Sequence, residues 1–470
     1  TKSEGESSFL LINSHQPLAG PVGWYELNVK SESGWSAHGG NFPGSFVVNV
    51  GFNESIGWGA TVNKPDVLDI FELTINPNNS NEYLLDGAWT PSEIEKDYLQ
   101  IKLLGFLKIK TKQNFKYSEF GPVLELKDKA FALRHATQNS FQEIDGWYAL
   151  NEAQSVQAFE SALSSRKIPS FNFVVMDASQ NIGFFYNGRI PTRENPQAAR
   201  KVVQGISSSA IWPLNRPIEK LPTFINPPNG WIQSTNQNPY AVMGRYSMAL
   251  DPKNPNVYFE QRLTNRSFVA NELLSTPIKI TLDDFIDIKF DHSYSENSRQ
   301  FKYLMKLAEN NSDIAEKVRP WDRQTNFKNK HAGYNSCLMA HEWLSEMNAQ
   351  PIPKTEDVLS KCQNWFTEIN REQTDEWGKI TTITRLGRSY PIQGSVDTLR
   401  AVYGTPNAET NSIDMSGGDG LFYIIEESLD GRMIYGMHNF GSSRNTESVH
   451  YSDQTFLFSK EALRFIPDNL

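Results

Sequence analysis

Residues that build cross-linked or metal-bound proteins are scarce in this chain. Its 470 residues include two cysteines, Cys337 and Cys362, too few for a disulfide scaffold or a four-ligand zinc site. Two readings stay open: one bridge in an oxidising compartment, or a pair of free thiols. Cys337 lies on an apolar-patterned helix, which suits a buried structural sulfur better than a nucleophile. None of the eight histidines forms a His-x-x-x-His pair, which counts against a histidine-built metal centre. No apolar run approaches the ~18 residues of a membrane span. Basic runs are missing too: 45 Lys+Arg against 54 Asp+Glu leave a net charge of −9. That balance favours solubility and argues against a nucleic-acid groove. There is no Gly-x-Ser-x-Gly elbow, P-loop or Gly-x-Gly-x-x-Gly loop, so the common nucleophile and phosphate motifs are excluded. The first residue is Thr1, not Met, with no apolar signal segment after it, which reads as a processed chain or a trimmed piece of one.

What is present is ample core: 39% hydrophobic and 12% aromatic residues rule out disorder as the main state. Short apolar or alternating runs predict strands at Ser8–Asn13, Gly23–Lys30, Ser45–Phe52 and Phe171–Asp177. Turn residues at Asp177–Asn181 join the last of these to Ile182–Tyr186 as a hairpin, and Asn63–Asp66 reads as another turn. Asn151–Leu163 has helical spacing with Asn151 as its cap. Residues 201–240 are rich in proline and read as loop. From Leu282 to Ile369 the pattern is helical, with apolar spacing clearest at Gln300–Ala308 and Ser336–Met347. Strands return at Leu421–Ile425, Met433–Met437 and Thr455–Phe458. This order without regular alternation predicts an α+β fold, with residues 1–290 and 386–470 as sheet core and 291–385 as a mainly helical insertion.

Several segments share, in order, the motifs of one family. Leu10-Leu11-Ile12-Asn13-Ser14-His15-Gln16-Pro17 resembles the Leu-x-x-Asn/Asp-Pro-His segment of the penicillin acylases. Gly23–Leu27, Gly39–Asn53 and Ile56–Val62 are similar to its following strands and Pro-Gly loop. Phe120–Val123, Ile168–Asp177, Asn181–Gly183, Ile190–Arg193 and Gly230–Gln237 follow in family order, and Gly441–Ser443 with His450–Gln454 close the series. The family comprises penicillin G acylase, cephalosporin acylase and the acyl-homoserine-lactone acylases. These are N-terminal-nucleophile hydrolases with an αββα four-layer core. Their precursor, a zymogen, cuts itself into α and β chains, and the β chain begins with the nucleophile, usually Ser. The hydroxyl attacks an amide carbonyl while its own α-amine, with an ordinary pKa of ~7.7–8.0, takes the proton.

The resemblance carries specific expectations. The backbone N–H of Val62 and the side-chain amide of Asn172 would hold the oxyanion. His15 would stand near the nucleophile, and Arg193 would orient Asn172 or the amine. Gln16, Trp24, Phe42, Ser45, Phe46 and Thr61, with Trp147, would line the acyl pocket, their polarity leaning toward an aromatic or short acyl group. Asp66, Leu68 and Asp69 would supply oxygens to a structural Ca²⁺. The partner would be the protein's own α chain in a heterodimer, and the location periplasmic or secreted. The polar, Gly-containing opening Thr1–Ser7 suits a turn and not a catalytic strand. About eight residues, including the nucleophilic Ser, are therefore expected upstream of residue 1, with Thr1 itself as the rival nucleophile. Two other classes compete: an inactive relative acting as a binding protein, and a β-rich carbohydrate-binding protein using the 11 tryptophans.

Overall fold

A computed structural model describes residues 2–103, 105, 107–138, 140–196, 200–214, 217, 218, 220–244 and 258–467. Thr1, the rival nucleophile, lies outside the described residues.

Two seven-stranded sheets form the centre. The first is organised around Ser412–Ser428, a 17-residue strand. It pairs with Ser8–Pro17, Thr381–Arg385, Val402–Asn407 and Gly431–His438. The second runs Thr223–Ile225, Ile182–Gly188, Ser170–Asp177, Ile56–Thr61, Val50–Phe52, Ser36–Asn41, Tyr25–Lys30. Side-chain alternation along a strand sorts the layers. Leu421, Tyr423 and Ile425 join Leu10, Ile12, Val50, Phe52 and Trp58 in the core between the sheets. Phe422, pointing the other way, packs with Met437, Phe458 and Phe290 on the outer side of the first sheet. The sheets approach closely at Gly57, where a Cβ would come within 2.6 Å of Ile425 and 2.9 Å of Leu10. Helices Glu143–Asn151 and Val156–Ser164 cover the second sheet through Phe159, which meets Phe173 at 5.5 Å. The order is thus helix, sheet, sheet, helix.

Between the strands that flank it, a helical stretch has its own core, built on Leu304, Leu338, Val358, Phe366 and Ile380. Cys337 and Cys362 are bonded across it. Its chain returns to the first sheet at Thr381–Arg385, parallel to Ser412–Ser428.

Three local expectations change. The helix expected over Asn151–Leu163 is two helices. Ser155 caps the second by accepting from Ala158 N, and Asn151 ends the first, its side chain bridging Val48 N and O at 2.8 and 2.7 Å. Only Val50–Phe52 of the expected Ser45–Phe52 strand is extended, because Phe42–Ser45 closes a turn with Gly44 at φ 96°. Thr455–Ser459 is a short helix, not a strand; a run of three apolar residues does not separate the two by period. A six-stranded sheet, Leu68–Leu73 and Gly121–His135 with a long hairpin over Glu93–Ser118, lies beside the core.

Candidate active site

The strand Ser8–Pro17 carries the first feature of the site. Among the described residues it pairs with Ser412–Ser428 alone, so its other edge is unpaired. That edge faces a groove of about 520 Å³ lined by Ser8–His15, Gly59–Thr61, Trp231–Thr235 and the apolar side chains of Leu274, Ile280 and Phe285. A row of backbone donors and acceptors facing a partly apolar groove is satisfied most simply by another strand. Residues Lys2–Glu4 enter at the Ser8 end, bridged to Ile280.

At the opposite end the register of Ser8–Pro17 slips between Ser14 and Gln16, and this bulge re-aims His15. His15 Nε2 lies 3.0 Å from Asp419 Oδ1, and the Tyr403 hydroxyl lies 3.3 Å from its Nδ1. Asp419 also accepts from Asn13 Nδ2 at 3.1 Å, Lys289 Nζ at 2.7 Å and Arg400 at 2.8 Å. Burial raises the Asp419 carboxyl, but Lys289, His15 and Arg400 outweigh it and hold it well below the usual range. Burial lowers His15 more than Asp419 raises it, so the imidazole is neutral. It donates through Nε2 to Asp419 and accepts at Nδ1 from Tyr403, whose hydroxyl burial pushes up to about 12. Both ring nitrogens are engaged, so neither is free to take a proton.

A second cavity, about 120 Å³, opens beside His15 and Thr61. Gln16, Trp24, Phe42, Thr61 and Trp147 line it together with Val62, Glu143 and Phe171. Trp24 stacks on Phe42 at 4.6 Å and donates its indole N–H to Ser14 O. Ser45 and Phe46 do not line it. Ser45 is held in the Pro-Gly turn, where its carbonyl accepts from Asn41, and Phe46 is 57% exposed. Asn172 pairs with Thr61 across the strands and follows Phe171, so both of its neighbours stand in the cavity wall. Its Oδ1 lies 3.4 Å from Asn63 Nδ2, while its own Nδ2 is buried with no partner. Backbone strain falls at the same place, with Phe171 at φ 141°.

Arg193 is not beside Asn172. Its guanidinium grips Asp69, with Nε at 3.1 and 3.0 Å from the two oxygens and a terminal nitrogen at 2.9 Å, and it also bonds the Asp66 carbonyl at 3.0 Å. Trp212 Nε1 donates to Asp69 Oδ2 at 2.7 Å. This corrects two expectations together. Arg193 does not orient the amide donor, and the residues chosen for calcium do not fit it. Both Asp69 oxygens are already occupied by donors, and the guanidinium supplies the positive charge. Asp66 Oδ2 alone is left buried without a partner, far short of the 6–8 oxygens calcium takes, roughly.

Residue types alone missed Asp419, Tyr403, Asn236 and Arg266. Asn236 donates to Val62 O at 2.7 Å and accepts from Arg266, which Asp397 anchors at 3.0 Å, so this chain pins the Val62 peptide. Asn236 alone left a signal, through the Gly230–Gln237 motif. Of the eleven tryptophans only Trp89 is exposed, so no row of stacking platforms supports a carbohydrate reading.

Comparisons with known proteins bear on the family and the fold. The penicillin amidase family model matches residues 1–467. Acyl-homoserine lactone acylase PvdQ of Pseudomonas fluorescens (strain Pf0-1) is 21% identical over 97% of this chain. Its counterpart in Pseudomonas syringae pv. syringae (strain B728a) is 22% identical over 97%. The chain spans 66% of the length of both. The solved thermostable penicillin G acylase from Alcaligenes faecalis shares the fold, with a TM-score of 0.70 at 16% identity, covering 100% of this chain and 95% of that one.

Proposed function

The chain belongs to the penicillin amidase family, and from that premise we propose that it is the β chain of an N-terminal-nucleophile amidohydrolase that cleaves an N-acyl amide. The observation that carries this reading is the groove beside Ser8–Pro17. An eight-residue strand laid against Ser8–His15, antiparallel after a turn over Ser3–Ser7, would end opposite His15. Its first residue, a Ser upstream of residue 1, would then stand at the mouth of the 120 Å³ cavity. The hydroxyl attacks the acyl carbonyl, and the α-amine takes its proton. The Val62 N–H and the free Nδ2 of Asn172 receive the oxyanion. Collapse releases the amine with that proton, and water then hydrolyses the acyl ester to the acid. His15 holds the strand end in place.

The acyl group is aromatic or short. A cavity of about 120 Å³ is on the scale of the ~150 Å³ site that accepts benzene, and Gln16 and Glu143 leave polar atoms in its wall. Self-cleavage from an α chain, pairing with that chain and export complete the proposal; the bonded Cys337–Cys362 pair supports an oxidising compartment.

N-terminal sequencing and intact mass of the active enzyme test the nucleophile. The β chain is expected to begin with Ser about eight residues before Thr1, and full activity from a chain starting at Thr1 overturns this. Asn172→Ala should lower kcat by about 10²–10³ with little change in melting temperature. In an acyl-length series, a preference for chains of about twelve carbons or more would contradict the acyl assignment.

A further inference from the structure

Glu93–Leu103 and Leu107–Ser118 form a two-stranded ribbon that leaves the body of the protein. They pair with each other along their whole length, and a further strand joins only at Tyr117 and Ser118. Eleven residues at ~3.3 Å each give a reach of roughly 36 Å. Residues facing each other across the strands share a face. One face of the outer half carries Leu99–Thr111, Ile101–Ile109 and Leu103–Leu107; the other carries Tyr98–Lys112, Gln100–Lys110 and Lys102–Lys108. The five aliphatic side chains are 43–48% exposed. No acidic residue occurs from Tyr98 to Lys112 in a chain of net charge −9, and among the described residues none of Lys102, Lys108, Lys110 and Lys112 has an ion-pair partner.

We propose that this ribbon docks the enzyme on an anionic lipid bilayer. The aliphatic face enters the boundary between headgroups and acyl chains, and the lysines of the opposite face reach the lipid phosphates, as in an interfacial amphipathic element. Charge favours this occupant. The rest of the chain is acidic and is repelled by such a surface, so the lysines must sit where contact is made. Composition separates lipid from protein as the partner. Protein interfaces are enriched in Arg and Trp and depleted in Lys, and residues 93–118 contain six Lys but no Arg or Trp. The aliphatic face has no use on nucleic acid.

The experiment is flotation of the purified, processed enzyme, with every chain it carries, on vesicles. One set holds equal parts phosphatidylcholine and phosphatidylglycerol; the other holds phosphatidylcholine alone. Binding is expected to the anionic vesicles only, weakening with salt, and to fall about fivefold for each of the four lysines changed to Gln. Ile101→Thr with Ile109→Thr keeps the strand propensity and should weaken binding further. Amidase activity in solution should be unchanged in both variants, which shows that they fold. Absence of the wild-type enzyme from the anionic fraction overturns the proposal, as does binding indifferent to the lysines. So does resistance of Lys102, Lys108 and Lys110 to acetylation before vesicles are added, which would mean that a protein chain or a second copy already covers the ribbon.

Discussion

Two carboxylate clusters, one on the first sheet and one at the third, are balanced in different ways. At the site, one carboxylate, Asp419, is met by Lys289 and Arg400, all three fully buried, and by His15 and Asn13; Arg400 also reaches Glu461. At the third sheet, two carboxylates, Asp66 and Asp69, share one guanidinium, that of Arg193. The first cluster sets two cations against two carboxylates, whereas in the second one contacting cation faces two carboxylates. A carboxylate's task follows from the donors already around it. Asp419 is the counter-ion of a buried positive pair and fixes His15 as a consequence. Asp69 is saturated, so it has no vacancy for a metal.

The largest test of this contrast is Asp419→Asn. It leaves two buried cations facing a neutral amide and should remove about 3–5 kcal/mol of stability, read from denaturant midpoints, with loss of activity as His15 loses its acceptor. A variant within ~1 kcal/mol of the parent would mean that the cluster is weakly coupled, and would break the contrast.

Removing the one cation in hydrogen-bond contact sharpens the other side. Arg193→Met leaves Asp66 and Asp69 facing each other and should destabilise by roughly 3 kcal/mol. The parent's melting temperature should be indifferent to EDTA or Ca²⁺, whereas the variant, with its carboxylates freed, should gain stability when Ca²⁺ is added. A parent that loses several degrees on chelation would show that Arg193 does not occupy the cation's place.

This contrast also marks what could be read in advance. Period and turn chemistry located a strand at Ser8–Asn13, the hairpin of Phe171–Asp177 with Ile182–Tyr186 and the long helices, because those signals are local. Motif order placed His15, Thr61, Val62 and Asn172 in one neighbourhood. Partner choice was hidden. Arg193 stands 124 residues from Asp69, and Asp419 more than 400 from His15, so no spacing rule links them. Ser45 and Phe46 failed for a different reason: a residue's place in a pocket-forming loop does not say which way a tight turn aims it. The Glu93–Ser118 ribbon went unnoticed although Leu99, Ile101 and Leu103 alternate with Tyr98, Gln100 and Lys102, a strand signal that was there to be read.

The smallest effect is the most discriminating, because it turns on a sign. Asp419 is held below its ordinary value. Its contribution is therefore present above the unfolded pKa of ~3.9 and lost as pH falls through the folded value. Asp66 is shifted the other way, raised by burial and only partly drawn back by Arg193. Its contribution is present below ~3.9 and lost as pH rises through the raised value. Asp66→Asn deletes a charge that burial opposes, so neutral-pH stability should rise, by only a few tenths of a kcal/mol because Arg193 offsets part of that burial. Denaturant midpoints from pH 3 to pH 7 separate the cases: Asp419→Asn flattens the acid limb, whereas Asp66→Asn lifts the neutral end. A loss at pH 7 on Asp66→Asn would mean that Arg193 depends on both carboxylates, and the second cluster would then be balanced like the first.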